Sequence, residues 1–143
     1  MPINTGGFPI LRNLAQKALT FTLFLVVFIP LVYGRDYTMR RKVDAYTVDL
    51  VINRNPPVIG KNDILIEIRD SSGKYVTNVP VLVNYYMPPM PGMPPMNYTV
   101  NAAPNGYGYK AMMDLIMTGP WNIVIKATVA GKQLRMTTPI DVR

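Results

Sequence analysis

Four methionines recur at every third position in a short proline-rich segment, residues 87–96, with the sequence Met-Pro-Pro-Met-Pro-Gly-Met-Pro-Pro-Met. They are Met87, Met90, Met93 and Met96. A methionine thioether is a soft, uncharged ligand that selects Cu(I) over harder ions. The segment is therefore a candidate Cu(I) site, and the four methionines are its predicted ligands.

The spacing of these methionines permits one shared site only if the segment turns back on itself. In a straight polyproline II helix, residues three apart are separated by about 9 Å along the axis, too far for one ion to bind both sulfurs. Pro91 and Gly92, however, suit the second and third positions of a type II turn. Such a turn brings the Cα atoms of Met90 and Met93 within about 7 Å and lays the two Met-Pro-Pro arms side by side.

Two further roles are compatible with the same segment. Methionine is an adaptable apolar residue that is favoured at plastic protein contacts, so the segment could bind a membrane protein. In that case Tyr86 and Pro91 join the four methionines as predicted contact residues. The segment could also cover the open end of its own domain. The sequence leaves copper binding, partner contact and self-packing open.

The absence of cysteine and histidine from the chain excludes several classes of site. It removes disulfides, thiolate nucleophiles, imidazole bases and the usual zinc or Cu(II) ligands. No phosphate loop or nucleophile motif is present, so we expect a protein without catalytic activity. The acids of the C-terminal region form no close pair, and we expect them on solvated faces: Asp44, Asp49, Asp63, Glu67, Asp70, Asp114 and Asp141.

The net charge of +7 is concentrated near the N-terminus. Residues 1–43 contain six of the fifteen basic residues and one of the eight acidic residues. The C-terminal region is close to neutral, which does not indicate a nucleic-acid surface. No small-molecule substrate is indicated either.

After residue 44, seven segments alternate apolar and polar residues with a period of two, the pattern of strands with one buried face. They begin near residues 46, 64, 79, 97, 109, 121 and 134 and are separated by turn sequences such as Asn105-Gly106. Seven short strands at near-regular spacing predict an all-β, immunoglobulin-like sandwich over residues 45–143. The predicted core includes Trp121, Met113, Met117 and Met136.

The N-terminal region contains an uncharged apolar stretch from Ala18 to Gly34, ALTFTLFLVVFIPLVYG. Its length is at the short end of the range for a membrane-spanning helix. We predict a tail at residues 1–17, a transmembrane helix at 18–34 and a basic linker at 35–44. A cleaved signal peptide ending at Gly34 is the alternative. The predicted membrane-interface residues are Tyr33, Arg35, Tyr37, Arg40, Arg41 and Lys42.

Two stretches of the chain resemble the YtkA-like domain family, which is related to FixH-type proteins. They are GKNDILIEIRDSSGKYVTNVPVLVNYYMPPMPGMPPM and GYGYKAMMDLIMTGPWNIVIKATVAG, which together fall within residues 60–131. The resemblance implies an extracytoplasmic immunoglobulin-like domain, often membrane-anchored and associated with copper handling or oxidase maturation. The count of basic residues flanking the apolar stretch slightly favours the opposite orientation, with a cytoplasmic C-terminal domain.

Two functions follow from these observations. The first is a single-pass membrane-anchored, extracytoplasmic accessory protein that binds Cu(I) through Met87, Met90, Met93 and Met96 and serves a respiratory oxidase. The second is a non-catalytic structural subunit of an integral membrane complex. In the second, the transmembrane helix and the Met/Pro segment are the docking surfaces. Both place the chain in contact with a lipid bilayer and a membrane protein complex.

Overall fold

The computed structural model describes residues 36–143, which form nine β-strands and no helix. The predicted tail 1–17 and transmembrane helix 18–34 lie outside the described residues. Within residues 36–143, no helix is long and apolar enough to cross a membrane. The strands are β1 Tyr37–Val43, β2 Tyr46–Ile52, β3 Gly60–Arg69, β4 Val81–Tyr86, β5 Asn97–Asn101, β6 Ala103–Asn105, β7 Gly108–Leu115, β8 Gly119–Val129 and β9 Lys132–Val142.

The strands form two antiparallel sheets that enclose one core. One sheet has the order β1-β2-β3-β7-β6, and the other has the order β5-β4-β8-β9. Strands β8 and β9 form the longest pairing, from Gly119 opposite Val142 to Val129 opposite Lys132. The predicted all-β class with two packed antiparallel sheets is confirmed.

The core follows the predicted alternation. In β8, Trp121, Ile123, Ile125, Ala127 and Val129 are all buried. The indole N–H of Trp121, which a buried ring must satisfy, donates a hydrogen bond to the Met117 carbonyl at 3.0 Å. Burial therefore confirms the prediction for Trp121. Of the three methionines predicted in the core, Met113 and Met136 are buried and Met117 is partly buried against the cluster.

Two of the nine strands were not predicted. The basic linker predicted at residues 35–44 is instead largely the strand β1, which pairs with β2 from Tyr37 opposite Ile52 to Val43 opposite Tyr46. Its charged residues masked the pattern, because only Tyr37, Met39 and Val43 pack against the core. An edge strand can expose much of its surface. Strand β6 has only three residues, all exposed, so it carries no alternation.

The start of β1 and the methionine-rich segment 87–96 lie at the same end of the sandwich. There β1 begins beside the end of β2, with Tyr37 opposite Ile52, and β3 begins beside the end of β7. The connection 116–118 leads directly into β8 of the other sheet, so the two sheets share this end. Residues 87–96 join β4 to β5 here. We call residues 87–96 the methionine hairpin and this end of the domain the hairpin end.

Candidate functional site

The methionine hairpin continues the pairing of β4 with β5, whose last pair is Tyr86 opposite Asn97. The Met87 N–H donates a hydrogen bond to the Met96 carbonyl at 3.0 Å and closes the base of the hairpin. At the tip, the Met93 N–H donates to the Met90 carbonyl at 3.2 Å. Gly92 has a φ of 79°, the positive value that the third residue of a type II turn requires. The predicted turn is confirmed.

The two methionines at the base of the hairpin are part of the protein core. Met87 is 5% exposed and Met96 is 8% exposed. Side chains alternate along a strand, so Met87 follows the inward-facing Tyr85. A Cβ atom built on Gly119 would lie 3.7 Å from the Met87 methyl carbon, which shows that Met87 packs over the start of β8. Self-packing, one of the three roles left open by the sequence, is the arrangement at the base.

The two methionines at the tip are accessible, with Met90 38% exposed and Met93 36% exposed. All four methionines nevertheless line one cavity of about 220 Å³. Prolines of both arms and Asn97 complete its wall, and the half-buried Tyr86 also lines it. Pro91, predicted as a contact residue, is exposed at the turn. The structure thus brings the four predicted ligands to one cavity, two from the core side and two from the solvent side.

The donor set of this cavity fits a soft ion and not a hard one. Within residues 36–143, no group of three or more His, Cys, Asp or Glu is placed to bind a metal. Thioethers carry no charge and are poor ligands for Mg²⁺, Ca²⁺ or Zn²⁺, whereas they suit Cu(I). Met90 and Met93 would hold such an ion at the accessible side, with Met87 and Met96 behind them.

Three aromatic rings lie near one another in the strands next to the hairpin. Tyr85 lies 5.4 Å from Tyr98 and 6.1 Å from Trp121, measured between ring centroids. The Tyr85 hydroxyl also accepts a hydrogen bond from the Asp114 N–H at 3.3 Å, which ties β4 to β7 across the core. The alternation of β4 indicated that Tyr85 is buried. Nothing in the sequence indicated that Tyr85, Tyr98 and Trp121 would form one aromatic group next to the hairpin.

A network of ion pairs lies on the outer face of the sheet, on strands β1, β2 and β3. Arg40 binds both oxygens of the Asp49 carboxylate, with Nε–Oδ1 and Nη2–Oδ2 distances of 2.5 and 3.1 Å. Arg69 donates to the same carboxylate from the other side, and its guanidinium is 3.6 Å from Glu67. We call Arg40, Asp49, Glu67 and Arg69 the charge cluster. Asp49 was expected on a solvated face, but it is buried here. Strand β1 lies beside β2, and its Arg40 binds the Asp49 carboxylate.

The charge cluster controls the ionisation of Asp49. Burial opposes the charged form, but hydrogen bonds from Arg40 and Arg69, together with their positive charges, outweigh it. The pKa of Asp49 is therefore lower than its ordinary value. Asp49 in turn raises the pKa of Arg40 by hydrogen bonding and by its charge. Arg40, predicted at the membrane interface, thus has a partner within the domain.

The other predicted interface residues are distributed along the chain. Tyr33 and Arg35 lie outside the described residues. Tyr37 lies at the hairpin end, where its hydroxyl donates a hydrogen bond to the Pro139 carbonyl at 3.4 Å. Arg41 and Lys42 are exposed near the opposite end of β1. The structure does not bring these basic residues together with Tyr37.

Comparisons with known proteins give one similar structure and one family. The structure is the PmoD soluble domain from Methylocystis sp. (Rockwell), with a TM-score of 0.52 and 11% sequence identity. The alignment covers 73% of this chain and 97% of that chain, which supports the fold. No curated protein matches the chain. Residues 40–126, more than half of the chain, match the model of the YtkA-like family. The chain therefore belongs to the YtkA-like family.

Proposed function

We propose that the protein is a non-catalytic, membrane-anchored accessory protein that binds Cu(I) through the methionine hairpin and serves a membrane complex, such as a respiratory oxidase. The observation that carries the proposal is that all four methionines line one cavity of about 220 Å³. A type II turn and a closing hydrogen bond at the base hold them there.

The ligand chemistry favours transfer of copper over its storage. Thioethers are neutral, so they do not compensate the charge of a bound ion as thiolates would. Binding is therefore weak and exchangeable. Two of the four sulfurs lie at the accessible tip of the hairpin, where an acceptor site can approach. These properties suit a protein that passes Cu(I) to a partner.

The membrane anchor is the predicted helix 18–34, and we place the β-domain outside the cytoplasm. The family resemblance supports this side, whereas the Lys/Arg count flanking residues 18–34 leans towards the other. The similar solved structure is described as a soluble domain, the same kind of unit as the nine-stranded domain of residues 36–143 without the apolar segment. Protease added to right-side-out vesicles should degrade the β-domain. A domain that survives until the membrane is broken has the opposite orientation.

A structural subunit that docks through the hairpin is the second candidate. It is favoured by the exposure of Met90 and Met93 beside two more exposed apolar residues of the hairpin end, Ile59 and Ile116. Such a surface suits contact with an apolar partner. Under this alternative the sulfur atoms are unimportant and only the apolar area matters.

Replacement of Met90 and Met93 together by Leu separates the two candidates. Leucine keeps the size and apolarity of methionine and removes the soft ligand. In a competition titration with a Cu(I) chelator, we expect an affinity loss of at least about tenfold, the equivalent of about 1.4 kcal/mol. Met112→Leu is the matched control, because Met112 is an exposed methionine on β7, away from the hairpin. It should titrate like the natural protein.

Partner capture completes the test. If copper affinity is the same in the natural protein and the Met90/Met93 leucine variant, the copper proposal is wrong. If Asp replacements at the same positions then abolish capture of an integral membrane complex while the Leu replacements do not, the hairpin is a contact surface.

A further inference from the structure

The hairpin end exposes four large apolar side chains that come from three separate segments. Met90 and Met93 belong to the hairpin, Ile59 precedes β3, and Ile116 follows β7. Ile59 is 53% exposed and Ile116 is 52% exposed. Gly60 pairs with Leu115, so Ile59 and Ile116 lie next to this pair, at the ends of two adjacent strands. Met87 packs over Gly119, so the base of the hairpin lies close to the connection 116–118 that contains Ile116.

The charged residues around this end balance each other. Ile59, Met90, Met93 and Ile116 have no charged neighbour in the sequence. The exposed charged residues nearest to the end by strand position are Arg54, Lys61, Arg143, Asp36, Asp114 and Asp141. Among these described residues three are basic and three are acidic. These exposed charges therefore give the end no net charge, and its four exposed apolar side chains are what distinguishes it.

The chain enters the domain at the same end. Strand β1 begins at Tyr37, three residues after Gly34, the last residue of the apolar stretch 18–34. Three residues span at most about 10 Å. If residues 18–34 cross a bilayer, this short connection tethers the start of β1 near its surface, so that surface is within reach of the hairpin end.

We propose that the hairpin end docks on the lipid bilayer, with Met90, Met93, Ile59 and Ile116 entering the headgroup region. This inference deepens the proposed function and rests on the membrane anchor in it. Apolar side chains gain free energy in proportion to the area they remove from water, and thioether and aliphatic groups suit the boundary of the acyl chains. Because the surrounding charge is balanced, docking does not depend on anionic lipid. Copper exchange then takes place at the membrane surface.

Single-cysteine labelling of the full chain tests the docking, since the protein contains no cysteine of its own. A nitroxide is attached at Ile116→Cys, which leaves the methionine hairpin intact. The matched controls are Met112→Cys, on the outer face of the sheet, and Tyr107→Cys, an exposed residue beyond the opposite end. Each chain is reconstituted into phosphatidylcholine nanodiscs, with or without phosphatidylserine. Collision rates with oxygen and with a water-soluble nickel chelate then report the depth of each label.

We expect the label at position 116 to meet oxygen several-fold more readily than the nickel chelate, and the two control labels to show the reverse. The pattern should be the same with and without phosphatidylserine. Adding Met90→Asp and Met93→Asp should return the 116 label to water. A 116 label as aqueous as the 107 label in pure lipid overturns the proposal. Protection that occurs only in native membranes also overturns it, in favour of a protein partner.

A Cu(I) titration of the natural, cysteine-free chain in the same nanodiscs separates this inference from the proposed function. Copper binding with an aqueous label rejects the docking alone. A lipid-protected label without copper binding rejects the copper site alone. A chain that does not assemble into nanodiscs rejects the anchor and, with it, the docking.

Discussion

The side chains of the charge cluster bind each other, whereas those at the tip of the methionine hairpin remain accessible to other molecules. In the charge cluster, Asp49 is bound by Arg40 and Arg69, so its charge is compensated within the domain. In the hairpin, the base methionines fill the core, whereas the tip methionines keep more than a third of their surface exposed. Side chains that satisfy each other stabilise a fold, and those that remain accessible can act on something else. By this criterion the tip of the hairpin is the functional region.

The largest expected effect concerns the base of the hairpin. Met87→Ala removes a buried side chain from the core and leaves a cavity, so we expect a loss of about 3 kcal/mol in the free energy of unfolding. Met90→Ala, the same change at the exposed tip, should cost less than about 0.5 kcal/mol. Urea denaturation of residues 36–143, which lie in one compact unit, measures both. Equal losses at the two positions would remove the distinction between base and tip.

A smaller effect is expected in the charge cluster. Asp49→Asn leaves two arginines without their carboxylate, and we expect a loss of about 1–2 kcal/mol by the same measurement. Arg41→Gln is the control for Arg40→Gln, because Arg41 is the exposed neighbour on the same strand. Only Arg40→Gln should reproduce part of the Asp49→Asn loss. A stable Asp49→Asn protein would mean that the ion pairs contribute nothing to folding.

The charge cluster also predicts part of the acid sensitivity of the domain. The pKa of Asp49 is lower in the folded protein, so its contribution is fully present above about pH 3.9, the value in an unfolded chain. It is lost as the pH falls through the folded pKa. Asp70, whose pKa is lowered by hydrogen bonds from Ser72 and Lys74, acts in the same direction. Asp49→Asn should therefore reduce, and not abolish, the loss of stability in acid.

A stability effect no larger than that of the charge cluster is expected at the turn of the hairpin. Gly92 has a positive φ, and no atom lies within 4 Å of a Cβ built on it. The cost of Gly92→Val is thus confined to the backbone, about 1 kcal/mol. The loss of Cu(I) binding free energy should exceed this loss of stability, because a changed turn separates the sulfurs of Met90 and Met93. Unchanged affinity would show that the turn does not position the ligands.

The fold was predictable where the alternation was strong. Strands β8 and β9 have long apolar faces, and every inward residue predicted for them from Trp121 to Ile140 is buried. Strand β1 was not predictable, because Arg40, Arg41 and Lys42 together resemble a solvated linker. Its membership of the sheet depends on pairing with β2 and on the ion pair between Arg40 and Asp49, contacts that form only when the two strands lie side by side.

The candidate site was predictable in composition and in its turn. Pro91-Gly92 indicates a type II turn by local backbone preference alone, and the structure has that turn. The division of the four methionines into a buried pair at the base and an exposed pair at the tip was not predictable. It depends on which residues of β4 and β5 face the core and on the packing of Met87 over Gly119, a residue far away in the sequence.

The sequence by itself determined the local properties of this protein: the alternation of its strands, the turn of the hairpin and the soft, uncharged character of its candidate ligands. Each follows from the types of residues that are close together in the chain. Only the tertiary structure decided that Met87 and Met96 are buried, that Asp49 is neutralised by Arg40 and Arg69, and that the hairpin shares an end with the start of β1. Those outcomes depend on register and packing between distant segments, and burial is a property of the assembled sheets.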